Sequence, residues 1–112
     1  MLLDQKKLLL DIQVATNSIT EYLGENRDFT VFQSSKMLRR AVERELEIIG
    51  EATNKLLKLN PTIAISEARR IVNLRNWVIH AYDSVDYIII WGIVNKDIPL
   101  LKAQVDRLLE NQ

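Results

Sequence analysis

Apolar residues recur along this chain in steps of three and four, which is the period of an amphipathic helix. The first such stripe contains Leu8, Ile12, Ala15, Ile19 and Tyr22. Asp4 is a candidate N-cap before this stripe, and Gly24 is a natural helix stop just after it. The polar residues 25–28 follow as a turn. The pattern therefore predicts a first helix that ends at Gly24.

A second and longer stripe runs from Leu38 to Leu59 and stops before the dipeptide at 60–61, Asn-Pro. Because proline disfavours a helical conformation in the residue before it, this dipeptide predicts the end of the second helix. A third helix is predicted to begin between Thr62 and Ser66. Its apolar positions are Ala64, Ala68, Ile71, Leu74 or Arg75, Val78 and Ala81.

The β-branched run from Tyr87 to Trp91 is compatible with a short buried strand, but the wider spacing favours a helix. The apolar positions continue in steps of four and three through Tyr87, Trp91, Val94, Ile98, Leu101, Val105 and Leu108. Pro99 is predicted to break or kink this run, because it has no N–H to donate to the carbonyl of Asn95. Asp97 is then the candidate N-cap of a last helix.

These elements predict an all-α protein, an up-and-down bundle of four to five helices in which residues 1–112 form one domain. Hydrophobic residues make up 47% and charged residues 27% of the 112 residues, a composition typical of folded globular proteins. The chain has no cysteine, which excludes disulfides, a thiol nucleophile and cysteine-based metal sites. With a single histidine, one chain cannot build a multi-histidine metal site, so we expect no metal and no cofactor.

No signal peptide is expected, because Asp4 and Asp11 interrupt the apolar start of the chain. No membrane span is expected either, since the longest uncharged apolar run covers only residues 87–94, and we expect a cytoplasmic protein. Fifteen cations balance fifteen carboxylates, which gives no support to a generic electrostatic nucleic-acid binder. The balance is an average, however. Residues 31–60 and 61–80 each carry two excess cations, while residues 1–30 and 81–112 each carry two excess anions. Ordinary solvated helix faces would also explain this distribution.

Residues 74–83, with the sequence Leu-Arg-Asn-Trp-Val-Ile-His-Ala-Tyr-Asp, hold the side chains best suited to chemistry. They place the only histidine, His80, five residues after Arg75 and two before Tyr82. On an ideal helix Arg75 and His80 point roughly 140° apart, whereas Asn76 and His80 share a face. A joint Arg–His site therefore needs the reach of the arginine, a loosened last turn or a second copy of the chain. Alternatively, the histidine simply caps the carbonyls of a helix end.

Arg75-x4-His80-x-Tyr82 resembles the Arg-x4-His-x-Tyr motif of the HepT-like toxins, within the HEPN superfamily of helical ribonucleases. The segment from Arg44 to Ala52 resembles that family's Arg-x-Leu-Glu-x-Ile-Gly-Glu-Ala helix. The Leu-Arg-Asn opening of the motif, together with Val85-Asp86, Trp91 and the Asp-Ile-Pro at 97–99, also fits the family pattern. The resemblance extends from about Leu38 to Leu109.

This resemblance implies a HEPN-like bundle that forms a homodimer, with the two Arg–His motifs facing one cleft. It implies a metal-independent endoribonuclease that acts on RNA as the toxin of a type VII toxin–antitoxin system, with Arg75 and His80 as catalytic residues. The partner is a minimal nucleotidyltransferase (MNT-type) antitoxin, which neutralises the toxin by adding AMP to the motif tyrosine, here Tyr82. The residue types suit the chemistry, since histidine can serve as base and acid and arginine can stabilise the phosphorane.

The second helix offers supporting residues. Arg40, Arg44, Glu47 and Glu51 form a ladder of opposite charges three or four residues apart. They are either an exposed ladder, worth about 0.2–0.5 kcal/mol per pair, or a face in which Arg44, Glu47 and Glu51 line the dimer cleft and position Arg75 or His80. Asn76 is separately a candidate to orient His80 or to donate to a phosphate. Gly50 costs roughly 1 kcal/mol relative to alanine in mid-helix, which indicates a close packing position.

Trp77 and Trp91 lie within apolar helical patterns, which favours core or interface anchors over base-stacking platforms. Two other functions remain open at this stage. The chain could be a non-catalytic, dimeric helical adaptor for a nucleotidyltransferase, or a nucleotide-binding partner in which His80 only caps a helix.

Overall fold

The computed structural model describes residues 2–73 and 84–111, with side chains given throughout except at 84–86. This part of the chain contains five helices and no strand, which confirms the all-α fold. The helices are α1 (Leu3–Leu23), α2 (Phe29–Ser34), α3 (Lys36–Leu59), α4 (Ala68–Val72) and α5 (Ser84–Glu110). The helical interpretation of the run from Tyr87 to Trp91 is thus confirmed.

The core forms around α3, which packs along α1 and also contacts α2 and α4, while α1 packs in addition against α5. Large side chains from four of the helices are fully buried there: Leu9, Ile12, Ile19, Phe32, Val42, Leu46, Ile49, Leu56, Ile90, Val94 and Leu101. Burying one such side chain is worth about 1.5–3 kcal/mol. The stripes that predicted the helices are therefore also the main source of their stability. Tyr22, at the end of the first stripe, is exposed and donates its hydroxyl to Glu45.

Several helix ends follow the sequence signals. Gly24 ends α1 with a φ of 68°, a left-handed conformation that favours glycine. Ser35 caps α3 by accepting a hydrogen bond from the amide of Leu38, and the helix ends before Asn60 as predicted. The prediction of Asp4 as an N-cap is wrong, because α1 begins at Leu3 and places Asp4 inside the first turn. Its carboxylate still favours the positive end of the helix dipole there.

The predicted start of the third helix between Thr62 and Ser66 is also wrong, since α4 begins only at Ala68. Ile63 and Ile65 are buried while Ala64 is exposed, so this stretch alternates with a period of two. The amide of Ile63 donates to the carbonyl of Asn60, which completes a turn in place of a first helical turn. The predicted apolar positions from Leu74 to Ala81, including Trp77, lie outside the described residues.

Pro99 does not end a helix, because α5 runs without interruption from Ser84 to Glu110. The prediction of Asp97 as an N-cap is consequently wrong. Val94 and Ile98 are buried before the proline and Leu101 after it, so the same face stays in the core on both sides. That burial offsets the hydrogen bond that Pro99 cannot make.

Replacing Pro99 with Ala should stabilise the protein, because it restores a donor for the Asn95 carbonyl at an exposed site. The expected increase in the free energy of unfolding reaches up to about 3 kcal/mol, measured by urea denaturation. Ala103→Gly is the matched control, since Ala103 is exposed on the same helix, and it should lower stability by about 1 kcal/mol. A loss of stability in Pro99→Ala would contradict this account of α5.

Candidate functional site

Four of the predicted site residues, namely Arg75, Asn76, His80 and Tyr82, lie outside the described residues. The structure does describe the chain on both sides of them. Asn73 follows α4 directly, and α5 begins at Ser84. It also describes α3, which carries the predicted supporting residues Arg44, Glu47 and Glu51.

The chain before the motif is attached to the bundle by α4. Ala68 and Ile71 are buried, and they pack this short helix against α3. The guanidinium of Arg70 lies 3.2 Å from a carboxylate oxygen of Asp97, whose side chain is only 14% exposed. Because Asp97 lies in the middle of α5, this ion pair links α4 to the helix that follows the motif.

The chain after the motif is held by aromatic and cation–π contacts. The guanidinium of Arg39 lies 4.8 Å from the centre of the Tyr87 ring and also donates to the carbonyl of Gln33. One turn further along α5, the half-buried Trp91 packs against Phe32 with ring centres 5.1 Å apart. Trp91 is thus an anchor at the edge of the core, as its apolar pattern predicts. These contacts place the beginning of α5 beside the first turns of α3.

The charged ladder of α3 is exposed in the isolated chain. A guanidinium nitrogen of Arg44 lies 3.2 Å from a carboxylate oxygen of Glu47, and Glu51 is exposed one turn further on. Exposed pairs of this kind contribute little, between about 0 and 1 kcal/mol. The exposed-ladder interpretation therefore describes the single chain. A role for Arg44, Glu47 and Glu51 in a cleft requires a second chain and stays a prediction.

Sequence analysis missed Glu43, whose residue surface is only 4% exposed. One of its carboxylate oxygens lies 3.4 Å from the guanidinium of Arg40, while the other has no hydrogen-bond partner within the described part of the chain. Burial raises the pKa of the Glu43 carboxyl, and the nearby Arg40 opposes this increase. The sequence signalled the burial of Glu43 only through its position seven residues before Gly50, beside the apolar stripe. Gly50 itself is buried, as expected for a packing position.

A surface cavity of about 560 Å³ lies elsewhere, at the far end of α5. Its lining includes Ile63, Ile65, Gln104, Arg107 and Leu108. Gln104 is twenty residues from Ser84, or about 30 Å along a helix, so this cavity is remote from the beginning of α5.

Among residues 2–73 and 84–111, no helix has the length and apolar character needed to cross a membrane. The same residues contain no group of three or more acidic or histidine side chains that could hold a metal ion.

Replacing Glu43 with Gln should raise the free energy of unfolding at pH 7, on the order of 1 kcal/mol. The substitution removes a buried negative charge of which only one oxygen has a partner within the described residues. The raised pKa means that the folded protein binds this proton more tightly than the unfolded chain does. Glu43 thus favours folding below its ordinary pKa of about 4.5 and loses that contribution as the pH rises through the folded value. The advantage of the variant should shrink from pH 7 towards pH 4 in urea denaturation.

Glu47→Gln provides the control on the same helix, because the Glu47 side chain is 36% exposed and paired with Arg44. Its effect on the free energy of unfolding at pH 7 should be small, because exposed ion pairs contribute little. A Glu43→Gln protein that is less stable than the wild type at pH 7 would show that the ionised carboxylate has a full set of partners.

Comparison with known proteins identifies the family. The family model described as HepT-like ribonuclease matches residues 12–108, from the middle of α1 to the end of α5. A protein of Methanocaldococcus jannaschii named as a candidate RNase is 39% identical over 107 residues, covering 92% of this chain and 94% of its own. A protein of Thermococcus cleftensis named as a candidate ribonuclease HepT has the same identity and coverage.

A further relative, from Caldanaerobacter subterraneus and also named as a candidate RNase, is 38% identical over 85 residues, which cover 75% of this chain and 76% of the relative. No solved structure gives a significant match. The extent of the family match, taken with relatives that align over almost their whole length, shows that the chain belongs to the HepT-like ribonuclease family.

Proposed function

We propose that this member of a ribonuclease family is a metal-independent endoribonuclease, the toxin of a type VII toxin–antitoxin system, with a site that two copies of the chain complete. The single observation that carries the proposal is the position of the only histidine. His80 lies within Arg75-x4-His80-x-Tyr82, and the family match covers this segment.

The proposed reaction is the attack of a ribose 2′-oxygen on the adjacent phosphorus. A base takes the 2′-hydroxyl proton as the new O–P bond forms, and an acid protonates the 5′-oxygen as its bond to phosphorus breaks. The products are a 2′,3′-cyclic phosphate and a 5′-hydroxyl. The imidazole of histidine serves either proton transfer near neutral pH, and the guanidinium of Arg75 stabilises the negative charge that develops on the phosphorane.

The scheme needs two chains, because a base and an acid that are both imidazoles require two histidines and each chain has one. We therefore propose a homodimer in which His80 of each protomer contributes to one cleft. Asn76 then orients His80 or donates to a phosphate oxygen, and Arg44, Glu47 and Glu51 support Arg75 from α3. The exposure of Arg44 and Glu51 in the single chain leaves them free for such a role.

The proposed antitoxin is a minimal nucleotidyltransferase that transfers AMP from ATP to the hydroxyl of Tyr82, with release of pyrophosphate. Tyr82 is two residues from His80. An added AMP group would block the substrate and bring negative charge to the arginines of the cleft.

Arg75→Ala and His80→Ala should each lower RNA cleavage at least about 100-fold, because each removes a group that acts only in the transition state. Cleavage is measured on a labelled single-stranded RNA in EDTA, which also tests the independence from metal. Expression of the wild type should arrest growth, and neither variant should do so. Circular dichroism and size-exclusion chromatography with light scattering show whether the variants keep their fold and dimeric state.

The dimer is tested by mixing wild-type and His80→Ala protomers. If both histidines act in one reaction, mixed dimers should be as inactive as the variant homodimer. A strictly monomeric protein that cleaves RNA, or a His80→Ala protein with full activity, rejects the composite site. A dimer that binds a nucleotidyltransferase without cutting RNA identifies the adaptor function instead.

Incubation with the cognate nucleotidyltransferase and ATP should add the mass of one AMP group to the chain and abolish cleavage. Tyr82→Phe should gain no mass and should still cleave RNA when the transferase is present. The chain has only two other tyrosines, Tyr22 and Tyr87, and the corresponding Phe variants of these should still be modified. Peptide mass spectrometry that places AMP on either of them would reject Tyr82 as the acceptor.

A further inference from the structure

The first nine residues of α3 carry most of the positive charge of that helix. Residues 36–44 contain four cations and one carboxylate, whereas residues 45–59 contain two cations and three carboxylates. The one carboxylate in the first group is the buried Glu43, whose pKa is raised by burial. Because Glu43 is buried, the charged groups that this part of the helix exposes to solvent are cations.

Three of the four cations lie on one exposed line. Lys36, Arg40 and Arg44 follow each other at intervals of four residues, which on a helix means steps of about 6 Å along the axis. Lys36 is exposed, and the side chains of Arg40 and Arg44 are 67% and 66% exposed. We call these three residues the basic stripe.

The stability of the helix explains only part of the basic stripe. Cations near a helix N-terminus oppose the helix dipole, and the first turn of α3 has no acidic residue to compensate for Lys36. Arg40 pairs with the buried Glu43 and Arg44 pairs with Glu47, yet the two arginine side chains remain 67% and 66% exposed.

The turns of α3 that carry the basic stripe lie beside the beginning of α5. The fourth cation, Arg39, belongs to the same two turns of α3 and lies over the ring of Tyr87 near the beginning of α5. Tyr87 is one helical turn after Ser84, and Ser84 follows Tyr82 by only two residues. The stripe and the beginning of α5 thus lie at the same end of the bundle, and the motif directly precedes α5 in the sequence.

We propose that Lys36, Arg40 and Arg44 bind successive phosphates of the single-stranded RNA that is cleaved at the motif. This inference rests on the proposed ribonuclease function and adds the path of the substrate. Phosphate contacts from Lys and Arg position a nucleic acid without reading its bases. A line of evenly spaced and exposed cations suits a flexible polyanion, which places a negative charge at every nucleotide.

The test compares two double variants in a His80→Ala background, in which RNA can bind without being cleaved. Lys36→Ala/Arg44→Ala removes two cations of the stripe and keeps Arg40, so Glu43 retains its ion pair. Lys55→Ala/Lys58→Ala removes two exposed cations near the other end of the same helix. Binding of a labelled single-stranded RNA is measured by fluorescence anisotropy over a range of salt concentrations, and circular dichroism checks the fold.

The stripe variant should bind RNA at least about tenfold more weakly at low salt, and the slope of log K against log salt should fall by about 1.4, since each phosphate contact on a single strand contributes about 0.7. The control variant should keep the affinity and the slope. In the background with His80 intact, Lys36→Ala alone should raise KM with little change in kcat, because Lys36 lies outside the catalytic machinery.

Equal affinities and slopes for the stripe variant and the parent protein would overturn the inference, and so would an equal loss in the control variant. Unchanged RNA binding with loss of AMP transfer to the stripe variant would assign this surface to the nucleotidyltransferase and also overturn it. The failure of the proposed function itself is distinguishable, because the wild type would then neither bind nor cleave RNA.

Discussion

The burial of one face of α3 is the constraint on which the rest of the structure depends. This face packs against α1 and α4, and its side chains at Val42, Leu46, Ile49 and Leu56 are almost inaccessible to solvent. Once that face is fixed, the helical period determines which residues point outwards. The packing of this face therefore determines which charged residues of α3 are exposed, including the basic stripe and the ladder. It also places Glu43 at the boundary, where one carboxylate oxygen has a partner and the other has none within the described residues. The chemistry of the surface is thus set by the core beneath it.

Much of the fold follows from the spacing of apolar residues and from a few terminating residues. Gly24 and the Asn-Pro at 60–61 mark helix ends because their backbone preferences are local and do not depend on tertiary contacts. The errors arose where tertiary burial outweighed a local preference. Pro99 removes a hydrogen bond, yet α5 continues because the apolar stripe stays buried on both sides. The predicted third helix included Ala64, which is exposed, whereas its neighbours Ile63 and Ile65 are buried in a non-helical stretch.

Some residues of the candidate site were identified from the sequence, whereas others are recognised only from the structure. The motif residues Arg75, His80 and Tyr82 were identified from a resemblance, and the family match supports the resemblance over residues 12–108. Glu43 was missed because glutamate is almost always exposed, and the sequence signalled its burial only through its place seven residues before Gly50, beside the apolar stripe. Its burial depends on which neighbouring helices cover that edge of α3. The basic stripe was visible in the sequence only as a modest positive excess, and the exposure of Lys36, Arg40 and Arg44 in the structure shows that it forms a surface.

The two attachments on either side of the motif have a consequence for the entropy of the chain. α4 is held by Ile71 and by the ion pair of Arg70 with Asp97, and the start of α5 is held by Arg39 over Tyr87. Holding the two ends of a segment in place restricts the chain and costs conformational entropy. Contacts outside residues 74–83 hold both flanking stretches, so the bundle supplies the free energy for this restriction. Substitutions within these ten residues can therefore change their chemistry without removing the contacts that hold the ends.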